Sequence, residues 1–246
     1  MIKQTIIKNI SIGDGSPKVC IPLTPTSDED VIKELNTVIN LEYDILEWRI
    51  DYYYFYLSSD HLKYNTRIIK NAIGDHPLMV TLRTKGEGGK AALGYAEYFN
   101  ILEAIIEDGV IDIIDLQVKM PEAFLSKVIR KAQQKDIKVL LSYHNLKEMP
   151  TNDKIIDLYQ KMNNLNADIC KVALMPQDSE EVEQLRNTTS QFINENDTKP
   201  IVAIALGELG SQSRLESDSI IYACIDNPIA PGQVNIKEVR EYLKYK

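Results

Sequence analysis

The chain is poor in cysteine and histidine, has one tryptophan, and contains no long apolar run. Cys20, Cys170 and Cys224 are scattered, and no two form a CxxC pair, which excludes a paired disulfide framework. All three lie in apolar stretches and are expected to be buried free thiols. That pattern suits a reducing, cytoplasmic setting. No apolar run approaches the ~20 residues of a membrane span. The start, Met1-Ile2-Lys3-Gln4-Thr5, lacks the apolar core of a signal peptide. An excess of positive charge is also missing. The formal net charge is −8, which argues against a nucleic-acid partner. A small anionic substrate would need a local cluster of arginines to offset that field. GxGxxG and P-loop spacings are absent too. With no linker, low-complexity stretch or repeat, residues 1–246 are expected to form one domain.

What is present is an alternation of short apolar runs with longer amphipathic ones. Strands are expected at Val19–Leu23, Ile45–Ile50, Leu78–Leu82, Ile111–Leu116, Val139–Tyr143, Ile169–Ala173, Ile201–Leu206 and Ile220–Cys224. Helices are expected near Asp28–Asn40, Asp60–Ile73, Tyr95–Glu107, Pro121–Gln134, Asn152–Met162, Glu180–Asn194, Gln212–Ser217 and Lys237–Leu243. In the first helix Val31, Ile32, Leu35, Val38 and Ile39 share one face. Eight strands alternating with eight helices imply parallel βαβ units. The count and the 246 residues favour a closed (β/α)8 TIM barrel, for which roughly 250 residues is typical. Residues 6–15 fall outside the repeat and are expected to form a short hairpin that closes the barrel bottom.

Active sites of such barrels lie at the carboxyl ends of the strands. The polar residues there are Glu47, Arg49 and Asp51, then Arg83 and Glu87, then Asp115 and Gln117. His144, Lys171, Glu208, Arg214 and Gln233 complete the set. Lys171 and His144 stand out because each ends an apolar run, and buried strands seldom carry ionisable groups without a reason. Burial disfavours the charged form of a lysine. A neutral amine can attack a ketone and form a Schiff base, and a nearby histidine could move the protons. His61 and His76 fall on a helix and before a strand-opening proline, and are expected at the surface. Glu47, Arg49 and Asp51 share a strand face by period two, and inward charges need pairing or a ligand. Gly86, Gly88 and Gly89 would let the loop after Arg83 approach a ligand. Gly207-Glu208-Leu209-Gly210 is a weak phosphate-loop candidate, since Glu208 would repel phosphate.

These residues together resemble the type I 3-dehydroquinate dehydratase family. The motifs are Glu47-Trp48-Arg49-Ile50-Asp51, Arg83-Thr84-Lys85-Gly86-Glu87-Gly88-Gly89, Ser142-Tyr143-His144-Asn145, Lys171-Val172-Ala173-Leu174-Met175-Pro176, Ser213-Arg214 and Ala230-Pro231-Gly232-Gln233. The resemblance spans nearly the whole chain. It implies a (β/α)8 homodimer that dehydrates 3-dehydroquinate to 3-dehydroshikimate without metal or organic cofactor. It implies that Lys171 forms the imine, His144 moves the proton and Glu87 orients His144. Arg214 and Gln233 would hold the substrate carboxylate, and Glu47, Arg49 and Arg83 the ring hydroxyls. The chain departs from the family pattern at three places. The loop after Arg214 is short, Ile229 replaces a usual polar contact, and Gln117 stands where an acid is common. Two other readings stay open: another Schiff-base barrel of the aldolase type, and a non-catalytic metabolite-binding barrel.

Overall fold

Each expected apolar run forms a strand, because a run that is apolar on both faces is stable only with both faces covered. The computed structural model describes residues 2–245. A hairpin, β1 (Thr5–Ile7) and β2 (Ile10–Ile12), comes first. Then follow β3 (Lys18–Leu23), α1 (Asp28–Val38), β4 (Ile45–Arg49), α2 (Ser59–Ile73), β5 (Leu78–Thr81) and α3 (Tyr95–Asp108). The middle of the chain supplies β6 (Ile113–Gln117), α4 (Glu122–Gln134), β7 (Lys138–Asn145), α5 (Asn152–Asn164), β8 (Ile169–Leu174) and α6 (Ser179–Glu195). The last part is β9 (Ile201–Ala205), α7 (Ser211–Leu215), β10 (Ile220–Cys224), β11 (Val234–Asn235) and α8 (Ile236–Lys244). Only the two-residue β11 and three single 3-10 turns lack a counterpart among the expected elements. They are too short to show a period.

The strands run parallel in the order β11-β10-β3-β4-β5-β6-β7-β8-β9. Strands β3 to β10 form the expected (β/α)8 barrel. Its hydrogen-bond ladder is interrupted at one seam: among the described residues no register pairs join β9 to β10. The short helix α7 touches both strands and bridges the gap. Arg214 on α7 donates from Nε to the Ala205 carbonyl on the free edge of β9, at 3.3 Å. A backbone acceptor that no strand satisfies is thus met by a side chain.

Period two divides each strand between two cores. On β8, Cys170, Val172 and Leu174 pack outward against the helices. Ile169 and Ala173 point into the barrel, and Lys171 lies between them on the same face. The barrel floor is Ile45, Met79, Ile113, Leu140, Ile169, Val202 and Ile220, joined by Ile7 and Ile12 of the hairpin. The hairpin therefore closes the bottom as expected, and Thr5 Oγ1 ties it to the Asp168 carbonyl at 2.6 Å. Climbing any of several strands, the inward residue changes from apolar to polar: Ile45 to Glu47, Met79 to Thr81, Ile113 to Asp115, Leu140 to Ser142. The polar layer lies at the carboxyl ends.

One detail of the helix pattern is corrected. On α1, Val31, Leu35 and Val38 are buried, but Ile32 and Ile39 are 47% and 44% exposed. They are seven residues apart and so share one flank, about 100° round from Val31 and Val38, which the packed face does not reach. All three cysteines are buried and unpaired, and His61 and His76 are exposed.

Candidate active site

The cavity at the carboxyl ends of the strands holds about 720 Å³, its open mouth included. All eight residues expected to act on a ligand line it: Glu47, Arg49, Arg83, Glu87, His144, Lys171, Arg214 and Gln233. Three strands (β4, β7 and β8), the loop after β5, helix α7 and the loop after β10 deliver them, so only the barrel closure brings them together.

One wall is a set of charges that satisfy each other. Arg83, 3% exposed, donates from Nη1 to Glu87 Oε2 at 3.0 Å and to Ser142 Oγ at 2.9 Å. Its Nη2 donates to Asp115 Oδ2 at 2.7 Å, and Ser142 Oγ donates to Asp115 Oδ1 at 2.6 Å. Burial opposes the charge on Arg83, but Asp115 and Glu87 outweigh it and hold the guanidinium above its ordinary pKa. Thr81 Oγ1 donates to Glu47 Oε1 at 2.5 Å. Arg49 is half of a bidentate pair with Asp51, at 2.9 and 3.0 Å.

Backbone placement explains Asp51 and Gln117, neither of which lines the cavity. Asp51 sits on a 3-10 turn past the end of β4, not on the strand face expected for it. It accepts from the Arg83 and Lys90 amides and so anchors the loop after β5. Gln117 accepts from the Thr84 amide at 2.8 Å and donates to Thr84 Oγ1 at 3.0 Å, fixing the same loop. Gly89 is required there: a Cβ would fall 1.9 Å from the Arg83 carbonyl oxygen. Asp115 lies beneath the cavity as the partner of Arg83.

Lys171 and His144 face the same space from adjacent strands. Lys171 is 6% exposed and makes no hydrogen bond or ion pair among the described residues. Its Nζ lies 3.6 Å from the centroid of the Tyr222 ring. Burial is the leading cause that lowers its pKa, and Arg83 adds to it, while Glu47 and Asp115 act the other way. Burial is thus the main cause that favours the neutral amine. His144 Nδ1 lies 3.3 Å from Glu87 Oε2. That oxygen is a carboxylate acceptor already facing Arg83, so Nδ1 carries the proton and Nε2 is left as a base. Burial and then the neighbouring Arg83 and Lys171 push His144 well below the usual imidazole range. It is neutral at pH 7. Burial raises the pKa of Glu87, and Arg83 and Lys119 counter it.

The other end of the cavity is unlike the first. Arg214 is 5% exposed, and its partners are two carbonyls, Ala205 O and Pro231 O. No carboxylate pairs with it among the described residues, and burial pulls its pKa down to about 10. Beside it, Gln233 Oε1 accepts from the Ile229 and Ala230 amides at 2.8 and 3.4 Å. That fixes the amide so that its NH2 is the group left to donate. Gly232 holds this loop with φ +73°, and a Cβ would meet the Gly207 carbonyl oxygen at 1.9 Å. Glu208 is exposed and does not line the cavity, so its charge is not what would discriminate against phosphate.

Strand-end reasoning missed Tyr222, Thr81 and Ser142. A tyrosine inside Ile220-Ile221-Tyr222-Ala223-Cys224 reads as core, and a small hydroxyl in a strand carries no signal until its partner is known.

A family model described as type I 3-dehydroquinase matches residues 19–246. The chain belongs to the type I 3-dehydroquinase family. Curated relatives agree along the whole length. A 3-dehydroquinate dehydratase from Enterococcus faecalis is 30% identical over 247 residues, 99% of this chain and 98% of that one. Another, from Alkaliphilus oremlandii, is 32% identical over 250 residues, 100% of this chain and 98% of that one. The solved type I 3-dehydroquinate dehydratase from Clostridium difficile, with covalent modified comenic acid, superposes with a TM-score of 0.94. It is 29% identical and covers 99% of this chain and 97% of its own. This type I 3-dehydroquinase thus has the family's barrel from hairpin to last helix. No helix among its described residues is long and apolar enough to cross a membrane.

Proposed function

We propose that this protein dehydrates 3-dehydroquinate to 3-dehydroshikimate through an imine on Lys171. The single observation that carries the reading is the Lys171 amine. It is the one lysine lining the cavity among the described residues, it is held without an ion pair, and burial favours its neutral form. The neutral nitrogen adds to the ketone carbon, and the carbonyl oxygen departs as water after protonation. The protonated imine is then an electron sink. His144 Nε2 takes a proton from the carbon next to it, and the electron pair moves toward nitrogen to give an enamine. The enamine returns the pair, the hydroxyl on the next carbon leaves, and His144 supplies the proton that makes it water. Hydrolysis of the imine restores Lys171. The net loss is one water molecule.

Glu87 holds His144 in the tautomer that leaves Nε2 basic. Glu47, Arg49 and Arg83 hold the ring hydroxyls. Arg214 and the Gln233 NH2 take the carboxylate, which supplies the anion that the Arg214 pocket otherwise lacks. The relatives' names, and the covalent modified comenic acid in the Clostridium difficile structure, support this reading. The pairing of one buried guanidinium with one amide NH2 suits a carboxylate better than the phosphate of an aldolase substrate. We propose further that the protein acts as a homodimer, as the family resemblance implies.

Borohydride reduction of the protein mixed with 3-dehydroquinate, followed by peptide mass spectrometry, tests the reading. The expected result is substrate mass on Lys171. Reduction that labels another lysine, or none, while turnover persists would overturn it.

A further inference from the structure

We propose that the Tyr222 ring is the platform that holds the cationic states of the Lys171 nitrogen, first the ammonium and then the protonated imine. The inference rests on the imine reading for its second half only. Lys171 Nζ sits 3.6 Å from the ring centroid, well inside the ~6 Å within which an aromatic face attracts a cation. Both residues are buried, at 6% and 7% exposure, so little water competes. No ion pair does this task, although Glu47 and Asp115 favour the charged form from a distance. Glu47 is bonded to Thr81, and Asp115 to Arg83 and Ser142, and neither forms an ion pair with Lys171.

The ring, not the hydroxyl, faces the nitrogen. The Tyr222 hydroxyl points away to the Met79 sulfur, a weak acceptor, at 3.8 Å. The contact also spans the seam: β8 and β10 are not ladder neighbours, since β9 lies between them and the ladder stops between β9 and β10. A π face binds a cation and gains little from a neutral amine. It therefore opposes burial just enough to keep the nitrogen from being stranded, and it stabilises the charge that the imine must carry before the adjacent proton can leave. A carboxylate in the same place would hold the ammonium too tightly for attack, because a full opposite charge shifts a buried pKa by units.

The test compares Tyr222→Phe, which keeps the face, with Tyr222→Leu and Tyr222→Met, which remove it. Methionine adapts to irregular gaps, so the test survives if leucine packs badly. The first measurement needs no substrate: the pH dependence of Lys171 acylation by acetic anhydride, read by peptide mass spectrometry. Glu47 on β4, Asp115 on β6, Arg83 past β5, Cys20 on β3 and His144 on β7 also face this nitrogen and stay unchanged. The phenylalanine variant should follow the parent. The leucine and methionine variants should titrate lower by roughly one pH unit, since losing the face destabilises the ammonium. The second measurement is the fraction trapped by borohydride at saturating 3-dehydroquinate, expected to fall roughly 10-fold in the same two variants and not in the first. A merely structural role would lower activity without moving the acylation curve. Leucine and methionine curves that coincide with the parent's, or lie above it, would overturn the proposal. A parent that is never trapped on Lys171 would instead overturn the imine reading and the imine half of this one, while the acylation curves still decide the ring–ammonium contact.

Discussion

The two ends of the cavity solve the problem of buried charge in opposite ways. On the wall built from β4 to β7, every cation has an anion: Arg49 has Asp51, and Arg83 has Glu87 and Asp115. These strands are joined by continuous hydrogen-bonded ladders, so each inward side chain is set against its neighbour by register. At the seam between β9 and β10 the ladder stops. Arg214 there is buried against carbonyls with no counter-ion. The first wall satisfies its charges from within, and the second leaves a buried cation without a counter-ion, as a carboxylate ligand would require. A paired wall can orient and tune, the task proposed for Glu87 beside His144. An unpaired cation selects, because an anion relieves the desolvation it already bears.

The largest expected effect falls on Lys171 of β8, which makes no ion pair among the described residues, and on His144 of the adjacent paired wall. Lys171→Ala should abolish turnover and borohydride trapping together. His144→Ala should keep the trapping and slow turnover by about 10²–10⁴-fold, the usual worth of a positioned acid–base group. Single-turnover kinetics with mass spectrometry separates the two, and a His144 variant within a few-fold of the parent would show another group to be the base.

Next comes a direct test of the contrast between the arginines. Arg83→Ala strands two buried carboxylates and should cost about 3–5 kcal/mol of folding stability. Arg214→Ala loses only hydrogen bonds to carbonyls and sheds a desolvated charge, so its cost should stay within about 2 kcal/mol. Urea unfolding of both variants measures this, and equal losses would erase the distinction. In kinetics the ranking reverses at the anion end. Arg214→Ala should raise KM for 3-dehydroquinate at least roughly 30-fold, because the ligand carboxylate loses its buried partner.

pH sharpens the comparison further. Lys171 must be neutral to attack, so kcat/KM should rise with pH through the lowered Lys171 pKa, ahead of the ordinary lysine range. In the proposed mechanism the base after imine formation is His144, whose pKa lies well below the imidazole range. The acid limb of kcat should therefore lie below 6.5. An acid limb of kcat above neutrality would contradict the neutral histidine. The smallest effect is expected from Ile229→Ser. One added neutral hydrogen bond nets about 1 kcal/mol, so KM should fall by no more than a few-fold.

The sequence alone determined the barrel and most of the site, because both are written in local signals. Strand runs, helix periods and the rule of carboxyl ends were enough to nominate Lys171, His144 and the ligand-facing arginines. Motif resemblance then attached roles to them. What only the tertiary structure decided concerns partners. Arg49, Arg83 and Arg214 look alike as letters, yet Arg49 meets Asp51 nearby in the chain, Arg83 gains Asp115 only because β6 becomes its neighbour, and Arg214 at the break in the ladder meets carbonyls instead. Asp51 and Gln117 proved to hold a loop rather than line the cavity: a turn after β4 ends the period-two alternation before Asp51, and Gln117, the last residue of β6, spends its amide on Thr84. Tyr222 was invisible among apolar residues on β10 until closure of the barrel laid its ring against a lysine from β8. Residue type and spacing fix what an element is. The charge state and task of a side chain depend on neighbours that are distant in the chain, and only the packed barrel supplies them.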